Sequence, residues 1–204
     1  MAVVTTSLVL GDQAGGFWQN LREATFSVTT VMTNTGYATA DFDMFNDYAR
    51  SHLLLLMFVG GCAGSTAGGM KVIRVLLLGK TAGQEIQRQL RPRAVQVLRT
   101  HGRVYSEDIR RGVLGFFYIY FAVTVVATMA MLVTGLDIIT AFSSVAATLN
   151  LVGPGLGEVG PASNFQPVSE GGRVILALVM LAGRLEVFTV LVLLTPAFWR
   201  RTLA

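Results

Sequence analysis

Long apolar runs alternate with polar segments along this chain, and the length of each run predicts an element. The run Gly112–Gly135 holds 24 residues without a charge. Because about 20 apolar residues cross a bilayer core as a helix, this run predicts a membrane span. A second run, Val174–Phe198, is interrupted only by Arg184 and Glu186 and also predicts a span. The two predicted spans cover residues 109–135 and 172–198.

A third apolar run, His52–Gly79, is broken in its middle by glycines and predicts an interrupted span over 51–80. The chain also opens on an apolar stretch, Met1–Leu10, which is too short to cross a bilayer. We interpret this stretch as the last part of a spanning helix whose beginning is absent. A signal-peptide segment is the alternative, but the stretch has no basic start and no A-x-A-like cleavage site.

Two shorter helices are predicted, over about 20–32 and over 137–149, the second capped by Asp137. A helix of ~12 residues is ~18 Å long, which is enough to enter a bilayer halfway but not to cross it. Each is followed by a polar stretch with glycine and then by a loop to a span. The fold class is therefore an all-α membrane protein, in which one order (span, half-length helix, return, span) occurs twice. The units predicted are 1–80 and 109–204, joined by a polar segment over 81–108.

Composition supports a membrane protein, since 52% of the residues are hydrophobic, 14% are charged and the mean hydropathy is +0.58. Soluble domains carry about 25% charged residues. The single cysteine, Cys62, excludes an internal disulfide and a metal site built from cysteines. No Ser-His-Asp, Cys-His or paired-carboxylate pattern is visible, so an enzyme is not predicted.

Positive charge sets the predicted orientation. Ten of the sixteen Lys and Arg residues lie between Lys71 and Arg111, and an excess of positive charge marks cytoplasmic loops. Both half-length helices then enter from the outer side. The basic segment 81–108 either sets the topology and contacts anionic lipid headgroups or serves as a docking surface for a partner. It is almost without aromatic residues, so nucleic-acid binding is not predicted.

The two polar returns, "TNTGY" and "NLVGP", predict a cation filter. Irregular backbone at membrane depth is tolerated only where it is buried in protein or lines a water-filled path. Carbonyl oxygens and the negative end of a helix dipole both attract cations, and glycine permits the turn. The alternative is that both are external loops with ordinary turns. The predicted filter residues are Asn34, Thr35, Gly36 and Tyr37 in the first return and Asn150, Leu151, Val152, Gly153 and Pro154 in the second, with K⁺ at Thr35, Gly36, Val152 and Gly153.

The string "GGCAGSTAGG" places five glycines among ten residues inside a predicted span. Because each costs about 1 kcal/mol relative to alanine in a helix, the string should unwind and form a flexible gate below the filter. A phosphate-binding loop fails because no G-K-[ST] sequence is present. Close helix packing through small residues is an alternative that is compatible with a gate. The predicted gate residues in this string are Gly60, Gly61, Gly64, Ser65, Thr66, Gly68 and Gly69.

Arg184 lies near the centre of the last apolar run, about ten residues from either end. An ionisable residue at that depth is a functional candidate by default. The alternative is a packing salt bridge. Glu186 does not share its helix face and instead could hold a neighbouring helix or a basic group such as Lys71.

Four strings, "TNTGYATADF", "GGCAGSTAGGMKVIRVLLL", "NLVGPGLGEV" and "GRLEVFTVLVLLTPAFWR", occur in this order. Together they resemble the Trk-type potassium uptake proteins of the Trk/Ktr/HKT superfamily, over essentially the whole chain. The resemblance implies a K⁺-channel-like fold of four helix–pore helix–helix (MPM) repeats, of which this chain resembles the last two, the C-terminal half of a TrkH-like membrane subunit. In that family the glycine string is an intramembrane loop that obstructs the pore, and the arginine matching Arg184 is an electrostatic barrier beside it.

The same resemblance implies potassium uptake across a bacterial inner membrane by a multi-pass homodimer with a TrkA-like cytoplasmic nucleotide-binding regulatory subunit. No covalent cofactor is expected, and the ion is K⁺, with Na⁺ or H⁺ as further candidates for a symport. Two returns supply only half of a four-walled filter, so we expect the chain to be part of a larger protein. Leu151 stands where a polar residue is more usual. A non-conducting assembly subunit and a secondary transporter of another solute remain alternatives.

Overall fold

The computed structural model describes residues 16–62, 64, 65, 67–91, 99–100 and 103–185, together with Val4, Thr6 and Val192. Most of the predicted partial first span lies outside the described residues. So do Thr66, Glu186 and nearly all of the predicted last span beyond Leu185.

The described chain is helical apart from turns, loops and four strands of two residues each, which confirms the prediction of an all-α fold. The α-helices are α1 Phe17–Met32, α2 Asp47–Met57, α3 Val72–Leu90, α4 Glu107–Val133, α5 Ile138–Leu149 and α6 Glu170–Arg184. The strands are β1 Val59–Gly60, β2 Met70–Lys71, β3 Arg99–Thr100 and β4 Arg103–Val104, and short 3₁₀ helices cover Phe42–Met44 and Gly157–Val159.

Helix α4 has 27 residues and is, within the part of the chain described, the one helix long and apolar enough to cross a membrane. Two of its buried threonine hydroxyl groups find partners in the helix itself. Thr124 donates to the Tyr120 carbonyl oxygen at 2.9 Å, and Thr128 donates to the Thr124 carbonyl oxygen at 2.8 Å. Such bonds satisfy hydroxyl groups that have no water to bind.

The two half-length helices differ in how they begin. The Asp137 carboxylate caps α5 by accepting hydrogen bonds from the backbone N–H groups of Ile139 (3.0 Å) and Thr140 (3.2 Å). The hydrogen bond from the Thr140 side chain and these backbone bonds lower the pKa of that carboxyl group. Helix α1 receives no side-chain cap from the described residues and starts at Phe17, about one turn earlier than the sequence predicts.

The apolar run His52–Gly79 is not one helix, because α2 ends at Met57 and α3 begins at Val72. Helix α3 then continues to Leu90, into the segment 81–108 for which the sequence predicts a loop. The residues of this extension are mostly polar and exposed, so the hydrophobic pattern could not reveal it. Farther along, β3 and β4 pair as an antiparallel hairpin.

Helix α5 lies between the two apolar cores. On one side it packs with α4 and α6 around Met131, Val145 and Leu176. On the other side Ala146 and the chain that follows α5 join the core of α1 and α2. Eight of its twelve residues are buried, including hydroxyl-bearing ones. This burial fixes the C-terminal end of α5, from which the second return emerges.

The loops that follow the two returns are joined directly. The Asp43 carboxylate accepts a hydrogen bond from the Gly157 backbone N–H at 3.0 Å and forms an ion pair with Arg50 at 2.9 Å. Ser143 in α5 in turn binds both backbone groups of Leu156, accepting from its N–H at 2.9 Å and donating to its carbonyl oxygen at 3.1 Å. These bonds hold the second return against α5 and against the first half.

Candidate functional site

Helix α1 ends in a Schellman motif, which satisfies its last carbonyl groups. The Thr35 N–H donates to the Thr30 carbonyl oxygen at 3.0 Å, and the Asn34 N–H donates to the Val31 carbonyl oxygen at 3.2 Å. Asn34 itself adopts the left-handed conformation, with φ of 56°. The chain therefore reverses direction at Asn34 and enters the first return.

Helix α5 ends in the same way, 117 residues later. The Val152 N–H donates to the Ala147 carbonyl oxygen at 2.9 Å, and the Leu151 N–H donates to the Thr148 carbonyl oxygen at 3.2 Å. Leu151 takes the left-handed position, with φ of 59°. Asparagine tolerates this conformation, whereas a bulky leucine is strained in it. The two returns thus start from equivalent backbone turns that differ in side chain.

The two returns lie against each other. Gly36 has φ of +77°, and a Cβ atom placed on it would overlap the Val152 carbonyl oxygen and lie 3.6 Å from Pro154 Cδ. Gly153 has φ of +107°, and its Cβ would lie 3.9 Å from the Gly36 Cα. The Asn34 side-chain Nδ2 donates a hydrogen bond to the Asn150 carbonyl oxygen. Sequence positions more than 110 residues apart are therefore neighbours.

Four carbonyl oxygens of these returns, those of Thr35, Gly36, Val152 and Gly153, accept no hydrogen bond from any described residue. Backbone carbonyl oxygens that accept no hydrogen bond coordinate hard or alkali cations, and no side-chain ligand is needed. The first return is open on one side, since Thr35 is exposed and Tyr37 is 72% exposed. Asn34 Oδ1 is buried and has no hydrogen-bond partner in the part of the chain that the structure describes.

The glycine-rich string forms a loop between two short parallel strands. Strands β1 and β2 pair Val59 with Met70 and Gly60 with Lys71, so the ends of the loop are held together. Lys71 is buried, and its Nζ donates to the carbonyl oxygens of Ser65, at 2.8 Å, and Ala67. Inside the loop, the Ser65 N–H donates to the Cys62 carbonyl oxygen at 3.0 Å. The Lys71 ammonium thus closes the loop by binding carbonyls that no helix satisfies.

This loop packs directly against the second return. A Cβ atom on Gly68 would overlap the Asn150 carbonyl group, and one on Gly69 would lie 2.8 Å from Asn150 Oδ1. Gly60 has a similar close approach to the Gly68 carbonyl oxygen. These positions need glycine because the backbone itself fills the space. Gly61 and the exposed Gly64, which has φ of +85°, complete the described part of the loop.

A cavity of about 270 Å³ lies beside the loop and collects three basic side chains, Lys71, Arg74 and Arg184. Arg74 stacks over the Phe116 ring, with its guanidinium carbon 4.1 Å from the ring centroid. Arg184 is the last residue of α6 and is exposed. The rest of the lining comes from the loop, from α4 and from α6: Ser65, Ala67, Gly68, Gly69, Phe116, Tyr120 and Gly183.

The family model of the TrkH cation transport proteins matches residues 5–201. The chain belongs to the TrkH family. This confirms the resemblance that the four strings in the sequence indicate.

Two relatives show the extent of the TrkH match. The chain is 45% identical over 178 residues to the Trk system potassium uptake protein TrkH of Vibrio parahaemolyticus, covering 87% of this chain and 36% of that protein. It is 45% identical over 180 residues to TrkH of Escherichia coli K12, covering 88% of this chain and 37% of that protein. The chain therefore spans little more than a third of these relatives.

A solved TrkH structure matches the fold. The crystal structure of the potassium transporter TrkH from Vibrio parahaemolyticus aligns with a TM-score of 0.89 and 41% identity, covering 97% of this chain and 42% of that chain. Since α4 is long and apolar enough to cross a membrane and the matching structure is that of a potassium transporter, the chain is a membrane protein.

Sequence reasoning misses two side chains of this TrkH site. The sequence suggests Lys71 only as a partner for Glu186, yet Lys71 binds the loop carbonyls. Tyr120 belongs to an apolar run that predicts only a span, yet its hydroxyl group donates to Asn150 Oδ1. A tyrosine in the middle of a span is the available signal, because a buried hydroxyl group usually has a partner.

Proposed function

We propose that this chain forms part of a potassium pathway and that K⁺ sheds water against the carbonyl oxygens of Thr35, Gly36, Val152 and Gly153. The observation that carries the proposal is that these four oxygens accept no hydrogen bond from the described residues, in two returns that touch each other. Carbonyl oxygens in such positions replace the hydration shell of an alkali cation. The printed names of the relatives, potassium uptake proteins, favour K⁺ as the ion.

The two returns supply half of a four-walled filter in this proposal. The open side of the first return, with Thr35 and Tyr37 exposed, is where further walls would pack. The small share of the relatives that the chain spans supports the same interpretation.

We assign the gate to the loop Gly60–Gly69 and Arg184, on the cytoplasmic side of the returns. The loop supports this role because it is non-helical, is closed by Lys71 and touches the second return through Gly68. Arg184 shares a cavity with Lys71 and Arg74. Three positive charges in one cavity raise the energy of a passing cation.

The proposal also includes the membrane location of the protein, its regulatory partner and its oligomeric state. The chain crosses a bacterial inner membrane more than once, with the basic region between α3 and α4 on the cytoplasmic side. That region is the docking surface for a nucleotide-binding regulatory subunit, and two copies of the complete protein form a dimer. The two helices that flank this region are joined by the ion pair between Arg110 of α4 and Glu85 of α3, at 3.7 Å.

Uptake of radioactive Rb⁺ into liposomes tests the proposal. The complete gene product that contains this chain is reconstituted, and excess K⁺ or Na⁺ is added as competitor. We expect uptake that K⁺ suppresses far more strongly than Na⁺. The 204-residue chain alone is the second sample, and we expect it to be inactive because half of the filter walls are missing. Absence of Rb⁺ uptake by the complete, folded product would contradict the proposed function.

A further inference from the structure

Asn150 connects the second return to three other parts of the molecule. It is fully buried at the C-terminal end of α5. Its carbonyl oxygen accepts from Asn34 Nδ2 in the first return, and its own Nδ2 donates to the Ala146 carbonyl oxygen at 2.7 Å. Gly68 and Gly69 of the loop pack against it. The carbonyl group and the side chain of Asn150 are thus both held by contacts at the point where the second return begins.

The remaining polar atom, Asn150 Oδ1, accepts a hydrogen bond from the Tyr120 hydroxyl group in α4. Tyr120 is 4% exposed and held by two aromatic neighbours: it stacks on Phe116 with ring centroids 5.7 Å apart and meets Phe58 edge-on at 6.3 Å. The ring is thus fixed by packing, and the hydroxyl group is aimed at Asn150. The two hydrogen bonds of the Asn150 amide together define one orientation of its side chain.

The second return depends on such contacts because its backbone is strained. Leu151 has φ of 59°, a conformation that a leucine adopts only where its surroundings enforce it. Loss of the Tyr120 hydroxyl group would leave Asn150 Oδ1 buried without its donor, and the amide would turn to seek another. Val152 and Gly153, whose carbonyl oxygens accept no hydrogen bond from the described residues, follow directly in the chain.

We propose that Tyr120 is a positioning residue for ion selectivity, which acts through the Asn150 side chain on the Val152 and Gly153 carbonyl oxygens. The proposal rests on the proposed function, because it presumes that these oxygens bind the ion. It predicts that one hydroxyl group in a spanning helix, which is not itself in the filter, determines how well K⁺ is preferred over Na⁺.

The substitution Tyr120→Phe in the complete gene product tests this, because it keeps the ring and its packing and removes only the hydroxyl group. In the Rb⁺ competition assay we expect the preference for K⁺ over Na⁺ to fall by roughly threefold to tenfold, the factor typical of one hydrogen bond. Tyr118→Phe is the matched control, since Tyr118 lies in the same helix and is 67% exposed. It should leave the preference unchanged.

A double-mutant cycle with Asn150→Ser separates positioning from packing. If Tyr120 acts through Asn150, then Tyr120→Phe adds no further loss of preference in the Asn150→Ser background. Restoring a donor by replacing Tyr120 with p-aminophenylalanine should recover the preference.

Three results would overturn the proposal: a wild-type ion preference in folded Tyr120→Phe, additive losses in the cycle, or a failure of Tyr120→Phe to fold, which would make the role purely structural. Failure of the proposed function is distinct, because the wild-type protein would then show no Rb⁺ uptake.

Discussion

Gly36 is the residue on which the contact between the two returns depends. Its φ of +77° suits glycine, and the Val152 carbonyl oxygen occupies the place of a side chain. No other residue type allows this approach, because any Cβ atom would push one return away from the other. Selectivity should therefore be sensitive to substitution here even though glycine offers no side-chain ligand.

We predict that Gly36→Ser lowers the preference for K⁺ over Na⁺ in the complete gene product, because the serine side chain displaces the Val152 carbonyl oxygen. Competition of K⁺ and Na⁺ against Rb⁺ uptake measures the effect. Gly79→Ser is the control, since Gly79 lies in α3 and a Cβ atom placed on it would meet no described atom within 4 Å. If Gly36→Ser leaves the preference for K⁺ over Na⁺ unchanged, Gly36 is not part of the filter.

The left-handed backbone of Leu151 lowers the stability of the second return. Asn34 occupies the equivalent turn of the first return, and asparagine tolerates positive φ better than leucine does. We expect Leu151→Asn to raise the free energy of unfolding by about 1 kcal/mol, the lower end of the cost of a left-handed residue. Thermal unfolding of the purified chain in detergent measures this. A lower melting temperature would indicate that leucine packing outweighs backbone strain.

At the scale of elements, helix α5 is the support of the site, and α6 approaches it closely. A Cβ atom on Gly183 would overlap the Leu149 carbonyl oxygen, one residue before Asn150. The same glycine lines the basic cavity next to Arg184. The spacing of α5 and α6 therefore sets the position of both the second return and the proposed gate arginine.

We predict that Gly183→Ala destabilises the chain by about 1–3 kcal/mol, the usual cost of overpacking, because it drives α6 away from α5. Gly171→Ala in the same helix is the matched control, since its added carbon would meet no described atom within 4 Å. Denaturant or thermal unfolding in detergent compares the two. Equal stability of both variants would show that α6 shifts freely.

The proposed gate predicts a substitution that raises transport instead of lowering it. Arg184→Ala removes one of three positive charges from the cavity, so Rb⁺ flux through the complete gene product should rise by roughly fivefold, the effect of one unit charge about 4 Å from the path in water. Arg111→Ala, an exposed charge outside the cavity, is the control. Unchanged or lower flux at normal expression would assign Arg184 a packing role.

At the scale of the described molecule, two helices coincide with the hydrophobic pattern. The span predicted over 109–135 corresponds to α4, Glu107–Val133, and the helix predicted over 137–149 corresponds to α5 with Asp137 as its cap. Long apolar runs and a capping carboxylate are local signals that a single sequence carries. The polar last turns of α3 have no such signal, and the start of α1 lacks a capping side chain among the described residues, so the sequence misplaces both boundaries.

The site is predictable only in part. The equivalence of the two returns follows from the order of elements, and the glycines mark where backbone approaches backbone. The bonds that join the parts are not predictable, because Asn34 and Asn150 are 116 residues apart and Tyr120 and Asn150 are 30 apart. Such pairs are set by the packing of whole helices, which no local pattern in one sequence encodes.

The central claim, that free backbone oxygens of two touching returns bind the transported ion, is tested most directly by locating the ion. Crystals of the complete gene product grown with Tl⁺ in place of K⁺ would reveal it by anomalous diffraction. We predict a Tl⁺ peak bounded by the carbonyl oxygens of Thr35, Gly36, Val152 and Gly153, which excess K⁺ removes and excess Na⁺ leaves in place. A well-resolved map with ordered returns and no peak between them would contradict the account.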